Sequence, residues 1–100
     1  MLPFDLHPDA ADEIRDGVRY RDQNPPGKGD EFRDAVYETI TFVRKFPKMG
    51  SLRANGARTR RVLGFDWFIA HRETADGILV LAVFHAKRRP DYWASRLPSA

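Results

Sequence analysis

The stretch ILVLAVF, residues 78–84, is the most apolar segment of the chain and decides its fold. An apolar run of this length without a polar break is expected of a β-strand that is covered on both faces. Asp76-Gly77, immediately before it, is typical of a hairpin turn. The aromatic stretch FDWFIAHR, residues 65–72, lies on the other side of that turn and predicts the strand that pairs with it.

Further strands and two helices are predicted on the N-terminal side of this hairpin. Residues 58–63 (RTRRVL) can form a strand, and the roughly alternating residues 3–7 (PFDLH) are a weak strand signal. Apolar residues recur at helical spacing over residues 8–23 and again over residues 28–46, which predicts two amphipathic helices. Asn24-Pro25-Pro26-Gly27 breaks the chain between them, so the two helices are expected to form a hairpin.

The predicted order of elements is β-α-α-β-β-β. Pro90 ends the last strand, and residues 91–97 are expected to form a short C-terminal helix. Two amphipathic helices need an apolar sheet face to cover, and strands joined by tight links favour antiparallel pairing. The expected fold class is therefore α+β, with an N-terminal helical hairpin packed on an antiparallel β-sheet in a single domain over residues 1–100.

Length and composition exclude several classes of protein. One hundred residues suffice for one core, and 42% hydrophobic with 31% charged residues is ordinary for a globular protein. The absence of cysteine excludes disulfides, thiolate metal sites and a cysteine nucleophile. No stretch is as long and apolar as a membrane helix, and residues 1–13 lack the features of a secretory signal. We therefore expect a cytoplasmic protein that does not associate with a membrane.

Positive charge is concentrated in the C-terminal half of the chain. Residues 1–50 carry 8 Lys and Arg against 10 Asp and Glu, a net charge of −2. Residues 51–100 carry 9 Lys and Arg against 4 Asp and Glu, a net charge of +5. A field of this sign favours an anionic partner, and a solvated face without a partner is the plain alternative.

The basic residues near the predicted sheet are the candidate binding residues, because clustered cations can hold phosphates or the carboxylates of a partner. On a strand, Arg58 and Arg60 point to one side and Arg61 to the other, so one of these sets lies on the face away from the helices. Trp93 is expected to anchor the C-terminus, and Tyr92 is expected to be more available. The full candidate set is Arg58, Arg60, Arg61, His85, Lys87, Arg88, Arg89, Tyr92 and Trp93.

No metal site and no cofactor are expected. His7, His71 and His85 are far apart in the sequence and lack the spacing of helical metal ligands. Gly27-Lys28-Gly29 lies between two predicted helices instead of after a strand, so it is interpreted as a turn and not as a phosphate-binding loop.

Four pieces of the sequence carry a resemblance to a known family. They are HPDAADEIRDGVRYRDQNPPGKGDEFRDAV, FPKMG, TRRVLGFDWFIAHR and ILVLAVFHAKRRPDYWASRL. The last piece contains the pattern His-x-x-Arg-x-Pro-x-x-Trp-x-x-Arg, formed by His85, Arg88, Pro90, Trp93 and Arg96. In this order and spacing the chain resembles the toxins of the RelE/ParE superfamily from bacterial type II toxin–antitoxin systems, and more closely the ParE branch.

This resemblance implies a helical hairpin on an antiparallel sheet, in agreement with the order of elements predicted above. It also implies a toxin that inhibits DNA gyrase, has no enzymatic activity of its own, and contributes to plasmid stabilisation. A cognate ParD-like antitoxin would neutralise it, and operator DNA would be contacted only through that antitoxin. The candidate set above would then bind the target or the antitoxin.

The resemblance leaves two alternatives open. One is a degenerate family member that only binds its antitoxin, and the other is a ribosome-dependent messenger RNA endonuclease, as in the RelE branch. The catalytic residues of such an endonuclease would be Arg60, Arg61, Arg88 and Tyr92, which could supply phosphate contacts and acid–base groups. However, residues 62–70 contain no Lys, Arg or His. The ribonucleases carry an arginine on this strand, at the position that corresponds to Trp67 or Phe68 here. The resemblance therefore favours gyrase inhibition.

Overall fold

Two helices pack on one face of a five-stranded sheet in the computed structural model of the chain. The structure describes residues 1–23, 26–89 and 91–97. The breaks predicted at Asn24-Pro25 and at Pro90 lie outside the described residues. Within the described part of the chain, no helix is long and apolar enough to cross a membrane.

The helices and strands follow the predicted order, with one short strand added. The strands are β1 (Phe4–Leu6), β2 (Ser51–Leu52), β3 (Arg58–Arg61), β4 (Trp67–Glu73) and β5 (Ile78–His85). The helices are α1 (Pro8–Gln23) and α2 (Gly29–Lys45), with short 3₁₀ helices at Ala54–Gly56 and Tyr92–Arg96. The last of these is called the terminal 3₁₀ helix below. The predicted α+β class and its element order are thus confirmed.

The sheet is mixed, because β1 runs parallel to β5. The strand order is β1-β5-β4-β3-β2, and every pair except β1–β5 is antiparallel. Tight turns join the antiparallel neighbours β3, β4 and β5, whereas both helices and three strands separate β1 from β5 along the chain. No hairpin therefore fixes the direction of β1, and a parallel pairing across such a long connection is allowed.

The helices form where the sequence places the signals for them. Acidic residues occupy the first turn of each helix and basic residues the last turn, as the helix dipole favours. Their apolar stripes, including Ile14 of α1 and Val36 of α2, are buried against the sheet. Gly17 allows α1 and α2 to approach closely, because a Cβ atom at this position would lie 2.7 Å from the Phe32 ring.

The strand β5 is buried on both faces, as its apolar run predicts. Ile78, Val80 and Val83 belong to the core beneath the helices. Leu81 and Phe84 belong to a second cluster on the opposite face, together with Trp93. Trp93 is 2% exposed, which agrees with its expected role as an anchor. The terminal 3₁₀ helix therefore covers part of the sheet face opposite the helical hairpin.

Candidate interaction surface

The carboxylate of Glu13, in α1, joins three elements of the fold. Its Oε1 accepts hydrogen bonds from the backbone N–H of Val83, at 3.0 Å, and from Arg96 Nη1, at 2.8 Å. Its Oε2 accepts one from Arg96 Nη2, at 3.1 Å, and another from the Tyr92 hydroxyl. These four residues, Glu13, Val83, Tyr92 and Arg96, are called the Glu13 network.

The Glu13 network satisfies backbone groups at the edge of β5. The short strand β1 pairs with β5 only as far as Val80. Beyond that point Glu13 accepts from the Val83 N–H, and Arg96 Nη1 donates to the Leu81 carbonyl at 3.0 Å. A strand edge with unpaired backbone groups is a site of unwanted pairing, and here two side chains take the place of a neighbouring strand.

The two charges of the network are largely shielded from water. The side chains of Glu13 and Arg96 are 16% and 13% exposed. The Asp9 carboxylate lies 3.6 Å from Arg96 Nε and adds a second negative charge. The hydrogen bond to Glu13 raises the pKa of Arg96, so this side chain stays charged. A charge with this little exposure is stable only when it is paired and hydrogen-bonded, as it is here.

Tyr92 is fixed by this network. Burial raises the pKa of its hydroxyl above the ordinary value, and the hydrogen bond to Glu13 adds to that rise. The guanidinium of Arg88 lies over the Tyr92 ring, 4.0 Å from the centroid, and that of Arg96 lies 5.0 Å from the same centroid. Tyr92 thus holds Arg88 at the exit of β5 and remains a hydrogen-bond donor.

A cleft of about 270 Å³ opens on the sheet face opposite the helices. Phe68 and Phe84 are stacked neighbours in it, with ring centroids 5.9 Å apart. Arg53 lies among its lining residues and donates to Thr59 Oγ1 at 3.2 Å. We call this site the basic cleft; it is lined by Arg53, Thr59, Phe68, Phe84, Ala86, Arg88, Asp91 and Trp93. Its cations and aromatic rings can bind an anionic partner that also presents apolar surface.

The arginines of β3 alternate between the two sides of the sheet. Arg60 lies on the helix side, where its guanidinium is 3.9 Å from the centroid of the Phe42 ring. Arg58 shares that side and donates to the Gly50 carbonyl at 3.2 Å. Arg61 lies on the opposite side, pairs with Asp66 and donates to the Phe65 carbonyl at 3.1 Å. Arg61 is therefore the arginine of this strand that shares a side with the basic cleft.

The basic residues after β5 lie at the other end of the sheet from Arg58. His85 is paired with Trp67 in the sheet, whereas Arg58 is paired with His71 at the far end of β4. Lys87, Arg88 and Arg89 are exposed in the turn that follows β5. Of the cations predicted to cluster, Arg58 therefore lies apart from those at the exit of β5, whereas Arg61 is paired with Phe68, next to the Trp67–His85 pair.

The residues proposed for ribonuclease catalysis do not come together in one site. Arg88 and Tyr92 are in contact. Arg60 lies on the helix side of the sheet, against Phe42, and Arg61 is paired with Asp66 on the other side. The Tyr92 hydroxyl is already bonded to Glu13. Phe68 lines the basic cleft at one of the two positions expected to carry an arginine in the ribonuclease branch.

Two residues of this surface were not predicted from the sequence. Glu13 falls in the first turns of a helix, where an acidic residue is expected for its effect on the dipole alone. Arg53 lies between β2 and the first 3₁₀ helix, in a segment with no periodic pattern. Neither position carries a local signal that identifies its partner.

The buried His71 is a further ionisable group near the arginines of β3. It is 1% exposed, and neither ring nitrogen has a hydrogen-bond partner among the described residues. Burial lowers the pKa of His71 to about 4, and the charges of Arg58 and Arg60 contribute to the same shift. Within the described residues no three His, Asp or Glu side chains are grouped to hold a metal ion.

Comparisons with known proteins agree with this architecture. A search of curated proteins found no match. A structure described as a chromosomal ParDE toxin–antitoxin system from P. aeruginosa is similar to this chain, with a TM-score of 0.74 and 16% sequence identity. The similarity covers 85% of this chain and 96% of the other, and it supports the fold. The family model of the ParE toxin of the type II toxin–antitoxin system parDE matches residues 4–90. The chain therefore belongs to the ParE toxin family.

Proposed function

We propose that this protein is a toxin that binds and inhibits DNA gyrase and that a cognate ParD-like antitoxin neutralises it. The observation that carries the proposal is the arrangement at the C-terminus, where the Glu13 network uses the Tyr92 hydroxyl as a structural contact and holds Arg88 beside the basic cleft. This arrangement is better suited to binding a partner than to catalysing the cleavage of RNA.

The same arrangement weighs against a ribonuclease. Cleavage of RNA without a metal needs an acid–base pair and cations that converge on one phosphate. Arg60 and Arg61 point to opposite sides of β3, and Arg61 is neutralised by Asp66. The raised pKa of Tyr92 makes its hydroxyl a poor general base near neutral pH. The basic cleft offers aromatic surface from Phe68 and Phe84 where such an enzyme would need polar groups.

Binding at the exit of β5 would rest on charge and aromatic contact together. Lys87, Arg88 and Arg89 are exposed there, and the basic cleft adds Arg53. Such a surface fits an acidic region of a protein partner, and contacts between charged groups of this kind guide association and weaken with added salt. Localisation in the cytoplasm, where gyrase acts, is part of the proposal.

A supercoiling assay with purified gyrase tests the proposal. We expect the wild-type toxin to inhibit supercoiling, and we expect Arg88→Ala to raise the concentration needed for half inhibition. Arg15→Ala is the matched control, because Arg15 is an exposed arginine on α1 whose ion pair is with Asp12. Undiminished inhibition by Arg88→Ala would contradict the assignment of the surface, and a wild-type toxin without effect on gyrase would contradict the function.

A further inference from the structure

The side of α1 that faces the end of β5 combines carboxylates with aromatic surface. A pocket of about 350 Å³ lies there, on the helix side of the sheet. We call it the α1–β5 pocket; its lining includes Asp16, Gly17, Tyr20, Trp67, His85 and Arg88. Trp67, the largest of these side chains, belongs neither to the basic cleft nor to the Glu13 network.

The ring of Trp67 is a fixed aromatic platform in this pocket. It is partly buried against the core, with the Phe32 ring edge-on at 4.8 Å and the His85 ring edge-on at 5.8 Å between centroids. A Cβ atom at position 17 would lie 3.3 Å from the indole, so Gly17 leaves room between α1 and the ring. An aromatic ring that is partly exposed and held by its neighbours is suited to stacking, because little conformational entropy is lost on binding.

Asp16 supplies the carboxylate that can accept from a partner in this pocket. The other carboxylate of the lining, Glu13, already accepts four hydrogen bonds within the Glu13 network, which fills its capacity. Asp16 is 76% exposed, and its ion pair with Arg19 has an N···O distance of 3.9 Å. An exposed pair of this length contributes little, so a partner's cation can replace it at small cost.

The one arginine of the lining does not occupy the pocket with its charge. The guanidinium of Arg88 lies over the ring of Tyr92, 4.0 Å from the centroid, and Tyr92 is not a lining residue of the pocket. The aromatic surface of Trp67 is therefore combined with negative charge from Asp16. Aromatic faces and carboxylates both favour a cation.

The backbone of β5 offers a hydrogen bond beside the pocket. The Ala86 N–H donates to the Asp66 carbonyl at 2.8 Å, and successive N–H groups of a strand point in opposite directions. The N–H of His85 therefore points away from β4, to the edge that β1 covers only as far as Val80. A backbone carbonyl of a partner can accept there while a neighbouring side chain enters the pocket.

We propose that the α1–β5 pocket binds an arginine side chain presented by gyrase. This inference rests on the proposed function, because it takes gyrase as the partner. A planar guanidinium can stack on the Trp67 indole and pair with the Asp16 carboxylate at the same time, which favours arginine over lysine. The α1–β5 pocket and the basic cleft share Phe84 and Arg88 but lie on opposite faces of the sheet, so gyrase would hold the exit of β5 from both sides.

Substitutions at Asp16 test the proposal through the dissociation constant of the complex with purified gyrase, measured by surface plasmon resonance. We expect Asp16→Lys to weaken binding about tenfold or more and Asp16→Asn about three- to tenfold, whereas Asp16→Glu should stay within about threefold of wild type. The matched control is Asp12→Lys, which makes the same change of charge at an exposed position of α1 outside the pocket. Its affinity is expected within about threefold of wild type, and circular dichroism checks that all variants fold.

The series also identifies what enters the pocket. Tighter or unchanged binding by Asp16→Lys would overturn the inference, because an acidic group or nothing would then lie opposite position 16. Wild-type affinity in Asp16→Asn would overturn it as well, since the occupant would be uncharged. An equal loss in Asp12→Lys would reduce the effect to the net charge of the toxin and contradict a specific site.

Hydroxyl-radical footprinting of the unaltered toxin, with and without gyrase, provides a second test. Oxidation of the partly exposed Trp67 should fall in the complex. Trp93, which is 2% exposed, is the internal reference and should be oxidised little in either state. Unchanged oxidation of Trp67 in the complex would overturn the inference.

The two proposals fail in different ways. A wild-type toxin that binds and inhibits gyrase, with equal affinity for Asp16→Lys, would support gyrase inhibition and overturn the pocket alone. A wild-type toxin that does not bind gyrase would contradict both proposals. Growth arrest that Asp12→Lys retains and Asp16→Lys loses would then show that the pocket binds a different target.

Discussion

Glu13 and Arg96 form a two-point ion pair, with N···O distances of 2.8 and 3.1 Å, that ties the C-terminal segment to α1. Through Tyr92 the same carboxylate determines where Arg88 lies at the exit of β5. The position of the basic residues proposed to bind gyrase thus depends on an acidic residue near the other end of the chain.

A double-mutant cycle measures the strength of this pair. We expect Glu13→Gln to lower the free energy of unfolding by about 2–4 kcal/mol, because it removes the carboxylate that pairs with Arg96 at two points and leaves this largely buried guanidinium with Asp9 alone. In Glu13→Gln combined with Arg96→Met, the loss should be smaller than the sum of the two single losses by about 1–3 kcal/mol. Urea denaturation of the four proteins checks this. Additive losses would mean that the two side chains do not interact.

The substitution Tyr92→Phe measures the contribution of the hydroxyl group to the Glu13 network, because it removes that group alone. The ring and its contacts with Arg88 and Arg96 are retained, and the hydrogen bond to Glu13 is lost. We expect a loss of about 1–2 kcal/mol in the free energy of unfolding, since a bond to a charged acceptor disappears. The matched control is Tyr37→Phe, at an exposed tyrosine of α2, with an expected change within about 0.5 kcal/mol. Equal effects of the two substitutions would contradict the role of the hydroxyl.

His71 makes stability depend on pH. Its folded-state pKa of about 4 lies below the ordinary value of 6.5, so the folded protein binds fewer protons than the unfolded chain between these values. The contribution of neutral His71 to the free energy of unfolding is fully present above pH 6.5. It is lost as the pH falls towards 4, and the free energy of unfolding declines by at most about 1.4 kcal/mol per pH unit.

His71→Leu should flatten this dependence, because leucine does not titrate. Urea denaturation of both proteins at pH 7 and pH 5 provides the comparison. We expect the wild-type protein to lose more stability than the variant between the two pH values. An equal loss of stability in the two proteins between pH 7 and pH 5 would contradict this role of His71.

Gly17 limits what the contact between α1 and α2 tolerates. A Cβ atom there would lie 2.7 Å from the Phe32 ring and 3.3 Å from Trp67. Alanine favours the helix by up to about 1 kcal/mol, but we expect the clash to outweigh this gain and Gly17→Ala to destabilise the fold by about 1–3 kcal/mol. Thermal denaturation of Gly17→Ala tests this, with Asp16→Ala, at an exposed neighbouring position, as the control variant. A Gly17→Ala protein as stable as the wild type would show that the Phe32 ring can move away.

The elements with strong periodicity were predictable, and those that depend on distant partners were not. Residues 8–23 and 78–84 carry enough apolar residues to identify a helix and a buried strand. The strand β2 comprises only Ser51 and Leu52, which is too short to show a period. The parallel direction of β1 depends on β5, far along the chain, because no turn joins the two strands.

The candidate site was predictable in its charges and not in its geometry. The alternation of a strand predicted that Arg60 and Arg61 point to opposite sides, which the structure confirms. The alternation of side chains did not show that Arg58 and His85 lie at opposite ends of the sheet, because their separation depends on the register between strands. Glu13 could not be identified, because its partners Tyr92 and Arg96 are far along the chain and only the folded chain brings them together.

Titration of gyrase with the purified wild-type toxin, followed by the supercoiling of relaxed plasmid, tests the central claim most directly. The account predicts that supercoiling declines as toxin is added, and that primer extension on translated messenger RNA shows no codon-positioned cuts at the same toxin concentrations. Full supercoiling activity at every toxin concentration, together with codon-positioned cuts, would contradict the claim that this protein acts by binding gyrase.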